Sequence, residues 1–157
     1  MPSDWALLGR IAMGLALAFF VGFEREVRGS PAGDRTFGLV GLASTATTAV
    51  VAHNSPQALA GVITGVGFIG AGVVIHTEQT FIRGITTAAA IFAIAAVGIV
   101  VGSGHIGLGA ATTAGMLLIL EIRYLPVFRV LDGRRYQSAF RQDTDPPGPL
   151  GPGQDGA

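Results

Sequence analysis

The chain has 157 residues, 50% of them hydrophobic and only 13% charged, at a mean hydropathy of +0.56, a composition that belongs to membrane proteins and excludes an ordinary water-soluble domain. The formal net charge is zero, every basic residue is an Arg, and no nucleic-acid partner is expected. Cysteine is absent, which excludes disulfides, thiolate metal sites and cysteine nucleophiles.

The first predicted element is an apolar run over 5–23. Its Ala16-Leu17-Ala18 has the small-x-small form of a signal-peptidase site, but no basic residue precedes Arg10, so an uncleaved first span is expected. From Phe37 to Leu120 the chain then runs 84 residues with Glu78 and Arg83 as its only formal charges. Polar breaks at 53–57, 76–84 and 102–105 divide this stretch. A membrane helix needs roughly 17 to 25 apolar residues, and the breaks leave spans at 37–52, 58–75, 85–101 and 106–124. The runs are unbroken, whereas a barrel strand alternates over about 10 residues. The expected fold is therefore an all-α bundle of about five transmembrane helices within a domain at 1–125.

Five spans put the termini on opposite sides. Arg25, Arg28 and Arg35, then Arg83, then Arg123, Arg129, Arg134, Arg135 and Arg141 all fall on one side, and Arg10 alone falls on the other. The positive-inside rule then places the N-terminus outside and the C-terminus in the cytoplasm, with Arg10 snorkelling outward past Trp5. Ser55-Pro56 fits an N-cap followed by proline in the first turn of the third span. Beyond Leu125, the stretch 126–142 mixes Phe128, Leu131 and Tyr136 with arginines, which suits an interfacial segment on the cytoplasmic leaflet. The stretch 143–157, rich in Pro and Gly, reads as a disordered tail.

The third span holds Gly65-Val66-Gly67-Phe68-Ile69-Gly70, a literal dinucleotide fingerprint. It lies inside an apolar span and has no acidic residue about 20 positions on, so it is not read as a nucleotide site. Helices in lipid associate through close approach of small residues, and Gly61, Gly65, Gly67, Gly70 and Gly72 are expected to form a packing surface. Gly14, Ala18 and Gly22 in the first span and Gly98 and Gly102 at the end of the fourth repeat the pattern. Unwinding of the glycine-rich span around a ligand is the other reading.

Orientation gathers Glu24, Arg25, Arg35, Thr36, Glu78, Arg83, Thr86 and Thr87 on the cytoplasmic face. Arg28, Asp34 and Glu26 read as topology anchors. Glu24, Arg25, Arg35 and Arg83 could equally form buried pairs or an anion site. Thr86-Thr87 opens the fourth span, where free amides favour a cap or a negative group. Ser44, Thr45, Thr47, Thr48 and Thr112-Thr113 are expected to bond to backbone or across helices. His53 and His105 fall outside and His76 inside, so the three cannot form one metal cluster. Whether His53 and His105 form an outer pair stays open.

The strings Gly22-Phe23-Glu24-Arg25-Glu26, Gly33 with Arg35-Thr36, Gly65 through Gly72, and Arg83-Gly84-Ile85-Thr86-Thr87-Ala88-Ala89 resemble, in order and spacing, the signature of the MgtC/SapB family of bacterial membrane proteins. The resemblance covers 5–120. It implies an inner (plasma) membrane protein of about five helices with its N-terminus outside, linked to adaptation to low magnesium, to survival inside host cells in some pathogens, and to restraint of the F-type ATP synthase. Only 32 residues follow Leu125, so the cytoplasmic domain of longer members is expected to be missing. The expected function is non-enzymatic modulation of magnesium or ion homeostasis by packing against a membrane partner or a second copy, with no cofactor. The alternative is a small ion transporter or channel subunit with a path along the third span. With Glu121 placed at the headgroup level at the end of the fifth span, no Asp or Glu lies near mid-span to line such a path.

Overall fold

The computed structural model describes residues 2–51, 55–75 and 84–122. Among these are five helices and no strand: α1 (Asp4–Val27), α2 (Asp34–Val51), α3 (Pro56–Ile75), α4 (Ile85–Gly102) and α5 (Ile106–Glu121). His53, His76, Glu78, Arg83 and the segments 126–142 and 143–157 lie outside the described residues. Contacts divide the chain into two units, 1–119 and 120–157. The first holds the bundle, and only 120–122 of the second are described.

The helix ends have local causes. Ser3 accepts the Ala6 amide and caps α1. At the other end α1 runs past the apolar stretch through Glu24-Arg25-Glu26 and stops at a Schellman turn, in which Ser30 N donates to Arg25 O, Gly29 N donates to Glu26 O, and Gly29 has φ +70. Such a turn ties off carbonyls that would otherwise be left over and favours glycine at the left-handed position. α4 ends in the same way, with His105 N donating to Val100 O, Gly104 N to Val101 O, and Gly104 at φ +97. Pro56 opens α3 directly after Ser55, whose carbonyl accepts the Ala58 amide.

By length and composition, α1, α3 and α4 can cross a membrane. α5 is apolar but only about 24 Å long at 1.5 Å per residue. α2 starts with Asp34-Arg35 and carries Ser44, Thr45, Thr47 and Thr48. It can carry them because it lies in the centre of the bundle, where Ser44, Thr45 and Thr48 are completely buried.

α1, α2 and α4 form a tight three-helix core in which α2 runs antiparallel to α1 and parallel to α4. Gly14 faces Thr45 and Gly22 faces Phe37 across the first pair, while Gly98 faces Ser44 and Gly102 faces Thr48 across the second. The approach is close: a methyl group on Gly98 would lie 2.7 Å from Ser44 Cβ, and one on Gly102 2.6 Å from the Thr45 carbonyl. Gly41 closes on Ala18 and the Gly14 carbonyl. Phe37, Ile91, Ile94 and Val21 fill the remainder of this core. Lipid supplies no hydrophobic drive between helices, so dispersion across these glycine contacts holds the three together. α3 lies alongside, antiparallel to α4, with Gly70 against Ala88 and Gly84 against Val73. The folded bundle, with its apolar helices, is that of an α-helical membrane protein.

Candidate functional site

One end of the bundle gathers most of the polar groups, where α1 ends, α2 begins and α4 begins. The Schellman turn at Gly29 sends the chain back toward α2, and Glu26 Oε2 accepts the Asp34 amide at 3.1 Å. The Glu26 carboxylate therefore caps the first turn of α2, where free amides and the helix dipole favour an acceptor with negative charge. A side chain on Gly33 would collide with that carboxylate. The loop is also fastened to α4, since Ser30 Oγ and Thr87 Oγ1 lie 2.9 Å apart and Thr87 is 2% exposed. Glu24 faces Arg28 one turn on, with Nε to Oε1 at 3.5 Å, and both carboxylate oxygens of Glu24 are buried. Arg25 Nε is also buried and has no hydrogen-bond partner among the described residues.

Of the expected polar cluster, Glu24, Arg25 and Thr87 have buried polar atoms or side chains at this end. Thr36 is half-buried, while Arg35 and Thr86 are exposed. Glu78 and Arg83 lie outside the described residues. Glu26 and Arg28, which read from the sequence as anchors, have specific partners, and Ser30 carries no signal in the sequence. Glu26 and Gly33 do lie within the quoted family strings. Their pairing crosses a turn, however, and no helical period reveals it.

The hydroxyls divide into two sets. Ser44 donates to Val40 O, Thr112 to Leu108 O and Thr113 to Gly109 O, the local back-bonding expected of such residues in helices. Thr45 and Thr48 are 0% exposed and their hydroxyls have no hydrogen-bond partner among the described residues. Thr45 Oγ1 is turned instead toward Gly14 and Gly98, a geometry that admits weak Cα–H···O contacts. His105 is exposed, and no group of metal-ligating residues forms among the described residues.

The five glycines of α3 contrast with those of the core. Gly61, Gly65, Gly67 and Gly72 have no neighbour among the described residues within 4 Å of where a Cβ would stand, and Gly70 meets Ala88 at an ordinary 3.6 Å. Beside them runs a groove between α2 and α3 of about 320 Å³, lined by Ser44, Thr47, Gly61, Gly65 and apolar neighbours.

These features define an α-helical membrane bundle with a polar end and a glycine-lined flank. Residues 11–125 match the model of the MgtC family. The chain belongs to the MgtC family. It is 37% identical over 139 residues to a protein of Escherichia coli strain K12 named "Putative magnesium transporter YhiD", covering 80% of this chain and 62% of that one. It is 34% identical over 149 residues to Protein MgtC of Brucella abortus strain 2308, covering 89% and 62%, and 28% identical over 136 residues to Protein SapB of Bacillus subtilis strain 168, covering 78% and 58%. The chain thus spans about three fifths of the length of these curated relatives. No solved structure gives a significant match.

Proposed function

We propose that this chain is a non-enzymatic, multi-pass protein of the bacterial inner membrane that acts on magnesium or ion homeostasis by packing its third helix against another membrane helix. The observation that carries this is the open face of α3 on which Gly61, Gly65 and Gly72 fall together at helical spacing. Every glycine in an α-helix costs about 0.8–1 kcal/mol relative to alanine, and close helix contact offsets that cost at Gly14, Gly22, Gly41, Gly98 and Gly102. In α3, Gly61, Gly65 and Gly72 on that face, and Gly67 on another, have the cost and no neighbour among the described residues within 4 Å of where a Cβ would stand. A second helix, from another membrane protein or another copy, would supply it. The family membership and the name of the Escherichia coli relative support the link to magnesium. The orientation with the N-terminus outside and the polar end in the cytoplasm rests on the arginine distribution.

The test is Gly61→Leu and Gly65→Leu in cells, followed by cross-linking and native gel analysis. The variants should melt no lower than the parent when purified and should lose the cross-linked species. Unchanged cross-linking would end this reading. A second reading, a small transporter or channel subunit with a path along α3, is favoured by one observation: the hydroxyls of Ser44 and Thr47 line the groove beside Gly61 and Gly65. Saturable magnesium flux into liposomes, lost in Thr47→Val, would establish it in place of the first.

A further inference from the structure

Arg10 lies in the second turn of α1, half-buried, at the end of the bundle away from the polar loop. A cation at that depth is costly unless paired or able to reach water, and the sequence alone suggests that it reaches water. The structure gives it another partner, because its Nη1 donates to the carbonyl of Gly102 at 3.1 Å. Gly102 is the last residue of α4. The Schellman bonds there engage the carbonyls of Val100 and Val101, and the Ser103 amide and hydroxyl both go to Ile99 O. These bonds do not reach the Gly102 carbonyl, which the guanidinium satisfies at the negative end of the helix dipole. Gly104 completes the arrangement. A Cβ there would stand 3.0 Å from Arg10 Nη2 and 3.1 Å from Cζ, so the guanidinium would have to give by a few tenths of an ångström.

We propose that Arg10, the Gly102 carbonyl and the bare backbone of Gly104 form a clasp that docks the α4–α5 turn onto α1, making Arg10 the positioning residue for the start of α5. α5 begins two residues after Gly104, and its Gly109 closes on Val101 of α4, so the turn sets the register from which that contact is made. A guanidinium suits this role because it is planar, always charged and weakly hydrated. The inference does not depend on which end of the bundle faces the cytoplasm.

Two measurements test it. Gly104→Ala introduces backbone strain in any background, but it meets the guanidinium only when Arg10 is present. The loss of melting temperature from Gly104→Ala should therefore be clearly smaller in Arg10→Ala than in the parent, whereas equal losses would overturn the clasp. The second uses the absence of native cysteine: His105→Cys reports on the turn and Val27→Cys on the opposite end. In Arg10→Ala, alkylation of the first should speed up at least threefold while that of the second stays constant. An unchanged rate at position 105, or an equal rise at both positions, would show that Arg10 does not position the turn. Should Gly104→Ala fail to fold, the alkylation comparison in Arg10→Ala alone decides.

Discussion

A glycine in this bundle is interpretable only with its neighbour in view. Gly98→Ala would put a methyl group 2.7 Å from Ser44 Cβ and 3.1 Å from the Gly41 carbonyl, and neither α2 nor α4 can give way without opening the core. It should lower stability by about 1–3 kcal/mol, the usual cost of overpacking, measured by thermal unfolding in detergent. Gly65→Ala meets open space and should raise the stability of the isolated chain by up to about 1 kcal/mol through helix propensity. Equal shifts for the two would show that the three-helix seam is slack. Thr45→Val keeps the shape of the side chain and removes a buried hydroxyl without a hydrogen-bond partner, so it should be neutral or stabilising by up to about 1–3 kcal/mol. A clear loss would mean that the Oγ1 contacts with Gly14 and Gly98 are net attractive.

At the scale of elements, α2 depends most on what surrounds it. It is the least apolar of the helices in the core, its hydroxyls are tolerated because α1 and α4 cover them, and its first turn is capped by a carboxylate from α1. Glu26→Ala removes that acceptor and should cost about 0.5–2 kcal/mol, the range for loss of an N-cap, with Glu26→Gln recovering part of it. Hydrogen exchange checks the assignment, since faster exchange should be confined to the amides at the start of α2. Faster exchange spread evenly over α1 would point to a general loss of the α1 end and not to a missing cap. α4 is the opposite case, with half of its apolar window buried, and it forms the spine on which α1, α2 and α3 all pack.

For the whole molecule, the alternating directions of α1 to α4 agree with four successive crossings, and the arginine count supplies the proposed orientation. A reporter active only in the periplasm should be silent when fused after Phe140 and active when fused at His53 or Gly104. Activity at Phe140 would reverse the orientation or change the number of crossings, and the polar end would then face the other side of the membrane.

What the sequence determined by itself was the solvent and the chain's local conformation. An 84-residue stretch with two formal charges is too apolar for a water-soluble fold, and glycine and proline at the breaks mark where helices stop, because apolar length and backbone propensity are local properties. Even there α1 outran its apolar run by a turn, since Glu24, Arg25 and Glu26 are sound helix formers and the stop signal is Gly29. The tertiary structure decided which face of each helix meets protein. The small-residue pattern marks Gly14, Gly22, Gly98 and Gly102 as well as α3, but only the structure shows that the tightest approaches of the α1–α2–α4 core fall on those four and on Gly41, which the pattern does not mark. In water the buried face of a helix announces itself by being apolar. Here lipid is as apolar as the protein interior, so the pattern of hydrophobic residues carries no such direction, and the partners of Glu26, Arg10 and Thr45 were set only when three helices closed on one another.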